Sequence, residues 1–222
     1  MEMQPGIQIR NAADSDIEFI IETIVQAEKG KGNSISYCKL FGINESEFRT
    51  VLRKILEEKI GNFEFSLANF KIAEVNGAQA GAYGAWLESE NGIASGILKI
   101  SALKTFLKKE NIINYKLSAP IVDEISIRRK AGTIQFESIY IVEQFRGHNI
   151  GSMLVKALLS DLTKKHPEVK AAHVQLIKQN SVSLRAHQKY GFESIEEKTS
   201  LNPTILNFYS GNTRVLMEIK LR

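Results

Sequence analysis

The sequence is poor in cysteine and proline and has no long hydrophobic run. Cys38 is the only cysteine among 222 residues, which excludes an intrachain disulfide and a zinc site built from four cysteines. Four prolines are too few for a low-complexity chain, and 43% hydrophobic residues are too many for intrinsic disorder. No stretch of about 18 apolar residues could form a transmembrane helix, and the N-terminus up to Arg10 has no signal-peptide pattern. We therefore expect a cytoplasmic globular protein that does not bind a membrane.

An excess of one charge sign is also missing. Lys and Arg together number 29 against 25 acidic residues, a net charge of +4. So small a surplus, without a basic and aromatic stripe, does not predict nucleic-acid binding. Three histidines, His148, His166 and His173, lack metal-ligand spacing, and we interpret them as surface residues. The sequence thus predicts no metal site.

Strand-like and helix-like segments alternate along the chain. Asn76-Gly77 joins two strand-like runs and is a strong hairpin signal. The alternation predicts an α/β fold with a mixed, partly parallel central sheet flanked by helices. The predicted strands are Ile7 to Ile9, Phe70 to Val75, Ala78 to Trp86, Thr133 to Val142, Ala171 to Ile177, Phe192 to Glu196 and Arg214 to Leu221. The predicted helices run from Ile17 to a stop at Gly30, from Asn44 to a stop at Gly61, and over Ser101 to Lys109, Ser152 to Lys165 and Ser181 to Tyr190.

Residues 88–132 interrupt this alternation. Apart from the helix over Ser101 to Lys109, the segment has no clean hydrophobic period. We predict a single domain over residues 1–222 with an insertion at 88–132 that covers the core as a lid, in preference to a separate binding module.

A short loop follows the strand that ends at Val142. Its sequence, Arg146 to Gly151, enters the next helix, where unpaired backbone N–H groups and glycines favour a bound phosphate. The loop lacks both the G-x-G-x-x-G order and the Walker pattern, so it predicts neither nucleotide-binding class. The alternative interpretation is an ordinary glycine-containing turn.

The segment from Glu137 to Gly151 resembles the cofactor-binding core of the GNAT superfamily of acyl-CoA-dependent N-acetyltransferases. Asn180 to Phe192 is similar to that superfamily's N-x-x-A-x-x-L-Y-x-K-x-G-F segment, and the two segments occur in the expected order. The resemblance implies a GNAT-like fold and transfer of an acetyl group from acetyl-CoA to a primary amine, by direct attack in a ternary complex. The acceptor would be a small-molecule amine or a peptide amine.

The resemblance also implies which residues bind coenzyme A. The loop would bind the pyrophosphate, with Asn149 in place of the family's middle glycine. The backbone of Ile139 and Ile141 would pair with the pantetheine arm, and an N–H near Ile141 would polarise the thioester carbonyl. Asn180 would bond the pantetheine or the neighbouring strand, or act only as a helix cap. The loop residues carried over are Arg146, Gly147, His148, Asn149, Ile150, Gly151 and Ser152.

Two catalytic residues follow from the resemblance. Glu137 stands where some members carry a catalytic glutamate, and we expect it to share a strand face with Ile139 and Ile141 and to assist deprotonation of the amine. His187 matches the tyrosine that protonates the thiolate, and a histidine could supply that proton. Tyr190 is the second candidate for the acid. The alternatives are a solvated Glu137 and a packing His187.

A rival function is a non-catalytic acyl-CoA-binding regulatory module that has lost the acid at His187. We expect residues 31–62 and the segment after Glu88 to shape the acceptor pocket. A homodimer is a further expectation from the superfamily.

Overall fold

The computed structural model describes residues 6–30 and 34–221. The predictions about the N-terminus and about the acceptor-pocket segment fall in part on residues 1–5 and 31–33, which lie outside the described residues. One seven-stranded sheet has the strand order β1-β2-β3-β4-β5-β7-β6. Its strands are β1 Ile7–Asn11, β2 Phe70–Val75, β3 Ala78–Leu87, β4 Ile134–Ile141, β5 Ala171–Ile177, β6 Glu193–Thr199 and β7 Thr213–Lys220.

Helices cover both faces of this sheet. None of the helices in the described residues has the length and apolar character that crossing a bilayer requires. The helices are α1 Ile17–Lys29, α2 Ser36–Phe41, α3 Glu45–Glu57, α4 Ser95–Phe106, α5 Lys109–Asp123, α6 Ile150–Lys165 and α7 Ser181–Lys189.

The sheet is mixed, as predicted. β4 and β5 are parallel and are linked by α6, whereas the other neighbouring strands are antiparallel. A parallel pair needs a crossover connection, and α6 supplies it. The predicted α/β class, with a partly parallel sheet flanked by helices, is confirmed.

Local sequence signals explain two of the boundaries. Asn76 and Gly77 both take positive φ, 51° and 81°, which a two-residue hairpin turn requires. Asn44 caps α3 by accepting from the Glu47 N–H at 2.9 Å, and the Glu47 carboxylate accepts from the Asn44 N–H at 2.9 Å.

Two hydrophobic cores lie on opposite faces of the sheet. The first packs α1 to α4 against the sheet, and Ile20, Phe48 and Ile72 are among its fully buried members. The second packs α6 against the other face, with Phe136 and Leu154 among its buried members. We refer to these two faces as the α1 face and the α6 face.

The segment between β3 and β4 differs from its prediction. The predicted helix over Ser101 to Lys109 is α4, which begins at Ser95 and ends at Phe106, and a second helix, α5, follows it. A leucine in extended conformation, Leu107, ends α4. α5 contains Pro120, and its apolar and polar residues are only weakly separated between its faces. Hydrophobic periodicity therefore did not predict this helix. The division into one domain with an insertion at 88–132 stays a prediction.

Candidate active site

β4 and β5 pair over only three residues each. The register joins Ile134 to Ala172 and ends with Phe136 opposite Val174, although both strands continue beyond that point. The two strands therefore separate from Glu137 onward. The opening exposes backbone groups at the C-terminal end of a parallel pair, where α/β proteins commonly bind ligands.

A β-bulge lies at this opening. Glu137 pairs with Gly84 and Tyr140 pairs with Ala82, so Ser138 and Ile139 stand opposite the single residue Tyr83. Ser138 takes a φ of 60°, which is uncommon for a residue with a side chain. Because the bulge inserts one residue, it reverses the alternation of faces along β4.

The reversal corrects one prediction. Ile139 and Ile141 pack against the core on the α6 face, whereas Glu137 points to the α1 face, where it meets Arg129. The expectation that all three side chains share a face is therefore wrong. A regular strand period underlies that expectation, and the bulge breaks the period at Ser138.

The loop after β4 has the backbone conformation that close approach of an anion needs. Gly147 has a φ of 88°, and Asn149 is left-handed at a φ of 60° and a ψ of 15°. Asparagine tolerates this region better than most residues, so it can stand in for a glycine. α6 begins at Ile150, and Asn149 makes no side-chain cap bond, which leaves the N–H groups of the first turn for a ligand.

Two side chains of the loop contact the backbone that precedes it. The Nε of Arg146 donates to the Ile141 carbonyl at 3.2 Å, and Nδ1 of His148 lies 3.2 Å from the Phe145 carbonyl. Both residues are exposed. The guanidinium of Arg146 therefore stands in solvent beside the start of α6.

The Tyr190 side chain packs against the first turn of α6. A Cβ placed on Gly151 would lie 2.0 Å from the Tyr190 hydroxyl oxygen, so the phenol rests directly against the Gly151 backbone. Burial raises the pKa of Tyr190, which keeps the phenol protonated at neutral pH. Within α7, Val182 is 51% exposed and the buried residue is His187.

Asn180 lies at the other rim of the opening. Its side chain caps α7 by accepting from the Ser183 N–H at 3.3 Å. Its amide nitrogen would lie 3.4 Å from a Cβ on Gly30, at the C-terminal end of α1. α1 and α7 therefore meet at this rim, and the capping role predicted for Asn180 is confirmed.

Glu137 is held by a cation from the segment between β3 and β4. Its Oε2 accepts from Nη2 of Arg129 at 2.5 Å, and its side chain is 27% exposed. Burial first, and then the negative charge of Glu64, raise the pKa of Glu137, while Arg129 opposes them. A carboxylate with a raised pKa is a stronger base than a solvated glutamate.

Glu64 lies behind Arg129 and is only 1% exposed. Its two oxygens accept from Lys99 at 2.9 Å and from Arg129 at 2.9 Å, and the Tyr37 hydroxyl also donates to it. Burial alone would raise the pKa of Glu64, but the charges of Lys99 and Arg129 lower it to about 2. Glu64 is therefore ionised throughout the physiological pH range.

A third carboxylate, Glu28 of α1, lies close to Glu64 and Glu137. Glu28 accepts from the Ser36 hydroxyl at 2.5 Å. Burial, aided by the charges of Glu137 and Glu64, raises the pKa of Glu28 to about 7. The α1 face of the opening thus holds carboxylates with very different proton affinities.

His187 lies on the α6 side and is 1% exposed. Its Nδ1 is 2.8 Å from the Ser183 carbonyl, which can only accept, so Nδ1 carries the proton. Its Nε2 is 2.7 Å from the Tyr83 hydroxyl and accepts from it. Burial lowers the pKa of His187 to about 4, so the ring is neutral at pH 7. These contacts favour a positioning role, and catalysis by His187 stays a prediction.

The remaining histidines, His173 and His166, both contact carboxylates. His173 is 5% exposed and lies 3.1 Å from the Glu218 carboxylate, so the interpretation as a surface residue is wrong. β5 is central in the sheet, which accounts for this burial. His166 contacts Glu90 at 3.1 Å. Within the described ranges, no three His, Cys, Asp or Glu residues converge as metal ligands do.

Residues 88–203 match the family model described as the acetyltransferase (GNAT) domain, and this span is more than half of the chain. The chain belongs to the GNAT acetyltransferase family. It is an acetyl-CoA-dependent N-acetyltransferase, which confirms the predicted family and enzyme class. No curated protein sequence matches the chain.

Solved structures share the fold of this GNAT acetyltransferase. An N-acetyltransferase from Staphylococcus aureus Mu50 has a TM-score of 0.63 at 15% identity, covering 96% of this chain and 100% of its own. The polyamine N-acetyltransferase of Drosophila melanogaster has a TM-score of 0.56 at 14% identity, with 97% and 100% covered. Salmonella typhimurium yncA, solved with its cofactor acetyl-CoA, has a TM-score of 0.52 at 14% identity, with 97% and 94% covered. At these identities the likeness shows the fold alone.

The residues of the opening suit acetyl-CoA as co-substrate. Gly147 and Asn149 have positive φ directly before α6, and the first turn of a helix has unpaired N–H groups of the kind that bind phosphate oxygens. The separation of β4 from β5 leaves strand backbone unpaired for an extended arm. The individual contacts predicted from the sequence remain predictions.

Sequence reasoning missed the buried and partly buried charged residues that surround Glu137. Arg129 follows Arg128 and precedes Lys130, so it resembles part of a solvated basic run. Glu64 gives a clearer signal, because it stands between Phe63 and Phe65 in an apolar run. An acid in that position needs a buried partner, and a search for a matching cation could have found the pair.

Proposed function

We propose that this GNAT acetyltransferase transfers the acetyl group of acetyl-CoA directly to a primary amine in a ternary complex, with Glu137 as the base. The observation that carries this proposal is the position of Glu137. It is the last β4 residue before the bulge, at the point where β4 and β5 separate, and its pKa is raised. Acetyl-CoA supplies the thioester that the amine attacks.

An amine must lose its proton before it attacks. Glu137 offers one carboxylate oxygen to Arg129, through Oε2, and its partly exposed side chain leaves the group accessible from the opening. A proton leaving the amine would pass to this carboxylate directly or through one water. The raised pKa of Glu137 reduces the mismatch with an alkyl amine, which supports the assignment.

The register of β4 on β3 leaves the backbone N–H of Ile141 available. Val142 donates its N–H to the Ala80 carbonyl at 2.9 Å, so the N–H of the neighbouring Ile141 points away from β3, toward the opening. We therefore assign carbonyl polarisation to the N–H of Ile141, together with the N–H groups at the bulge. Such donors are most effective where water is excluded, and Tyr83, opposite the bulge, is fully buried.

The proton for the departing thiolate needs a donor. Neutral His187 accepts at Nε2, and its single N–H is bonded to a carbonyl. These contacts do not favour His187 as the proton donor. Tyr190 keeps its proton at neutral pH and lies against the loop at Gly151. We propose Tyr190 in its place, and comparison of Tyr190→Phe with His187→Gln tests the choice. Loss of turnover in His187→Gln alone would contradict it.

The acceptor class is a small-molecule or peptide amine. The α1 face of the opening carries Glu28 and Glu137, whose carboxylates favour a cationic acceptor. A fold neighbour acts on polyamines, and this likeness makes them a reasonable first class to test. We keep the homodimer as a proposal from the superfamily.

One experiment tests the whole proposal. Acetyl-CoA binding is measured by calorimetry, and thiol release is then followed against polyamines, amino acids, amino sugars and N-terminal peptides. We expect binding, and release that depends on one class of amine. Binding without release from any amine would contradict direct transfer and favour the regulatory module. No binding would overturn the assignment of the Arg146 to Ser152 loop.

A further inference from the structure

Arg129 makes the shortest polar contact of Glu137, and it lies outside the strand, loop and helix that carry the sequence motifs. Its Nη2 lies between two carboxylates, 2.5 Å from Glu137 and 2.9 Å from Glu64. Its Nη1 donates to the Ser95 hydroxyl at 3.1 Å. The guanidinium therefore has bonded partners on two of its edges.

The plane of this guanidinium is fixed as well. Its central carbon lies 5.0 Å from the centre of the Trp86 ring, a cation–π distance. Glu88 accepts from the Ser95 hydroxyl at 2.5 Å and from the Trp86 indole at 3.2 Å. Glu88 therefore fixes both Ser95 and Trp86, the two residues that contact Arg129 here. Rotation of the guanidinium would break several contacts at once.

Glu64 fixes the other side of Arg129. It is bonded to Lys99 of α4 and to Tyr37 of α2, and Lys99 also contacts the Tyr37 hydroxyl at 3.0 Å. Arg129 therefore serves a permanently ionised carboxylate and Glu137 through the same nitrogen. One cation shared in this way orients Glu137 without fully compensating its charge.

We propose that Arg129 is a positioning residue for the catalytic base Glu137, and that Glu64 is the fixed countercharge that holds Arg129 in place. This inference rests on the proposed function of Glu137. It gives the segment between β3 and β4 a role in the chemistry, since that segment supplies Arg129, Lys99 and Ser95. A cover alone would not need a partly buried cation in contact with the base.

The charge environment of Glu137 sets the sign of the test. Glu64 raises the pKa of Glu137, whereas Arg129, Lys99 and Arg214 lower it. Removal of Arg129 and removal of Glu64 should therefore shift the proton affinity of Glu137 in opposite directions. The titratable and charged groups that face it are Glu28 of α1, Tyr37 of α2, Glu64, Tyr83 of β3, Lys99 of α4, Arg129, Tyr209 and Arg214 of β7.

The experiment compares Arg129→Gln, Arg129→Lys and Glu64→Gln by the pH dependence of kcat/KM. The base must be deprotonated, so activity falls as pH drops through its pKa. We expect this acid limb to move to higher pH in Arg129→Gln and to lower pH in Glu64→Gln. Arg129→Lys should keep the limb near its original pH. In both Arg129 variants kcat should fall roughly 10²-fold, because a base displaced by about 1 Å loses that much.

A second readout separates this inference from the proposed function. The carboxyl carbon of Glu137 is titrated by ¹³C NMR in each variant without acetyl-CoA, using Glu137→Gln to assign the signal. If the pKa of Glu137 shifts in opposite directions in Arg129→Gln and Glu64→Gln, the inference about Arg129 is supported. If the pH dependence of kcat/KM does not follow these shifts, Glu137 is not the base. Shifts in the same direction, or none, overturn the inference.

The control is Arg53→Gln, which removes a surface ion pair between Arg53 and Glu18. We expect an unchanged acid limb. If Arg129→Gln does not fold by circular dichroism, Arg129→Lys and Glu64→Gln carry the test. A normal kcat in Arg129→Lys together with an unmoved limb in Glu64→Gln would then refute the positioning role.

Discussion

On the α6 side of the opening between β4 and β5, the loop from Arg146 to Ser152 offers backbone groups to a ligand. On the α1 side, Glu137, Arg129 and Glu64 offer charged side chains instead. The first side is continuous in sequence, whereas the second joins residues as distant along the chain as Glu64 and Glu137. Backbone conformation thus governs one half of the site and buried electrostatics governs the other.

This difference predicts separable defects. Substitutions on the α6 side should weaken acetyl-CoA binding, and substitutions on the α1 side should slow the chemical step with binding intact. A variant on either side that changed acetyl-CoA affinity and the rate of the chemical step equally would contradict this comparison.

Glu137→Gln should have the largest effect. The amide cannot take a proton, so we expect kcat to fall by about 10² to 10⁴-fold while calorimetry shows unchanged acetyl-CoA affinity. Glu196→Gln, on the exposed edge strand β6, is the matched control. If Glu137→Gln kept normal turnover, the base would have to be sought elsewhere on the α1 side.

The Tyr83–His187 pair should affect stability more than chemistry. The folded-state pKa of His187 is lowered to about 4 from an ordinary value of 6.5, so its contribution to stability is fully present above pH 6.5 and is lost as pH falls toward 4. The size of this loss is about 3 kcal/mol. Urea unfolding at several pH values should show a shallower decline for His187→Gln, whose amide can still accept from Tyr83. Equal slopes in both proteins would show that His187 is not buried in its neutral form.

Asn149 tests the α6 side by itself. Asn149→Gly should preserve acetyl-CoA binding, because glycine takes a φ of 60° without strain. Asn149→Val should weaken it by roughly 5- to 30-fold, since a side chain in the left-handed region costs about 1 to 2 kcal/mol. Calorimetry measures both, and turnover at saturating acetyl-CoA should be the same in each. Identical affinities for the two variants would mean that the left-handed backbone is not needed for binding.

The same contrast explains what could be predicted from the sequence. The strand–helix–strand succession of β4, α6 and β5 and the loop at Arg146 follow from local periodicity and a contiguous motif. The face of Ile139 could not be predicted correctly, because the bulge at Ser138 depends on the register between β4 and β3, where two residues stand opposite Tyr83. The contact of Arg129 with Glu64 and Glu137 depends on tertiary packing of three separate segments. No spacing along the chain encodes that contact.

Cys38 belongs to neither half of the site, and its substitution should have the smallest effect. Burial, followed by the charge of Glu45, raises the pKa of its thiol to about 11, so almost none of it is thiolate at pH 7. We expect Cys38→Ala to keep kcat/KM within about two-fold and the native thiol to react slowly with iodoacetamide, since both follow from an unreactive, half-buried sulfur. The measurement is steady-state thiol release alongside the rate of alkylation followed by mass spectrometry. An acetylated Cys38 peptide after incubation with acetyl-CoA, together with lost turnover in Cys38→Ala, would replace direct transfer by a covalent route. It would also move the chemistry away from the carboxylate on β4.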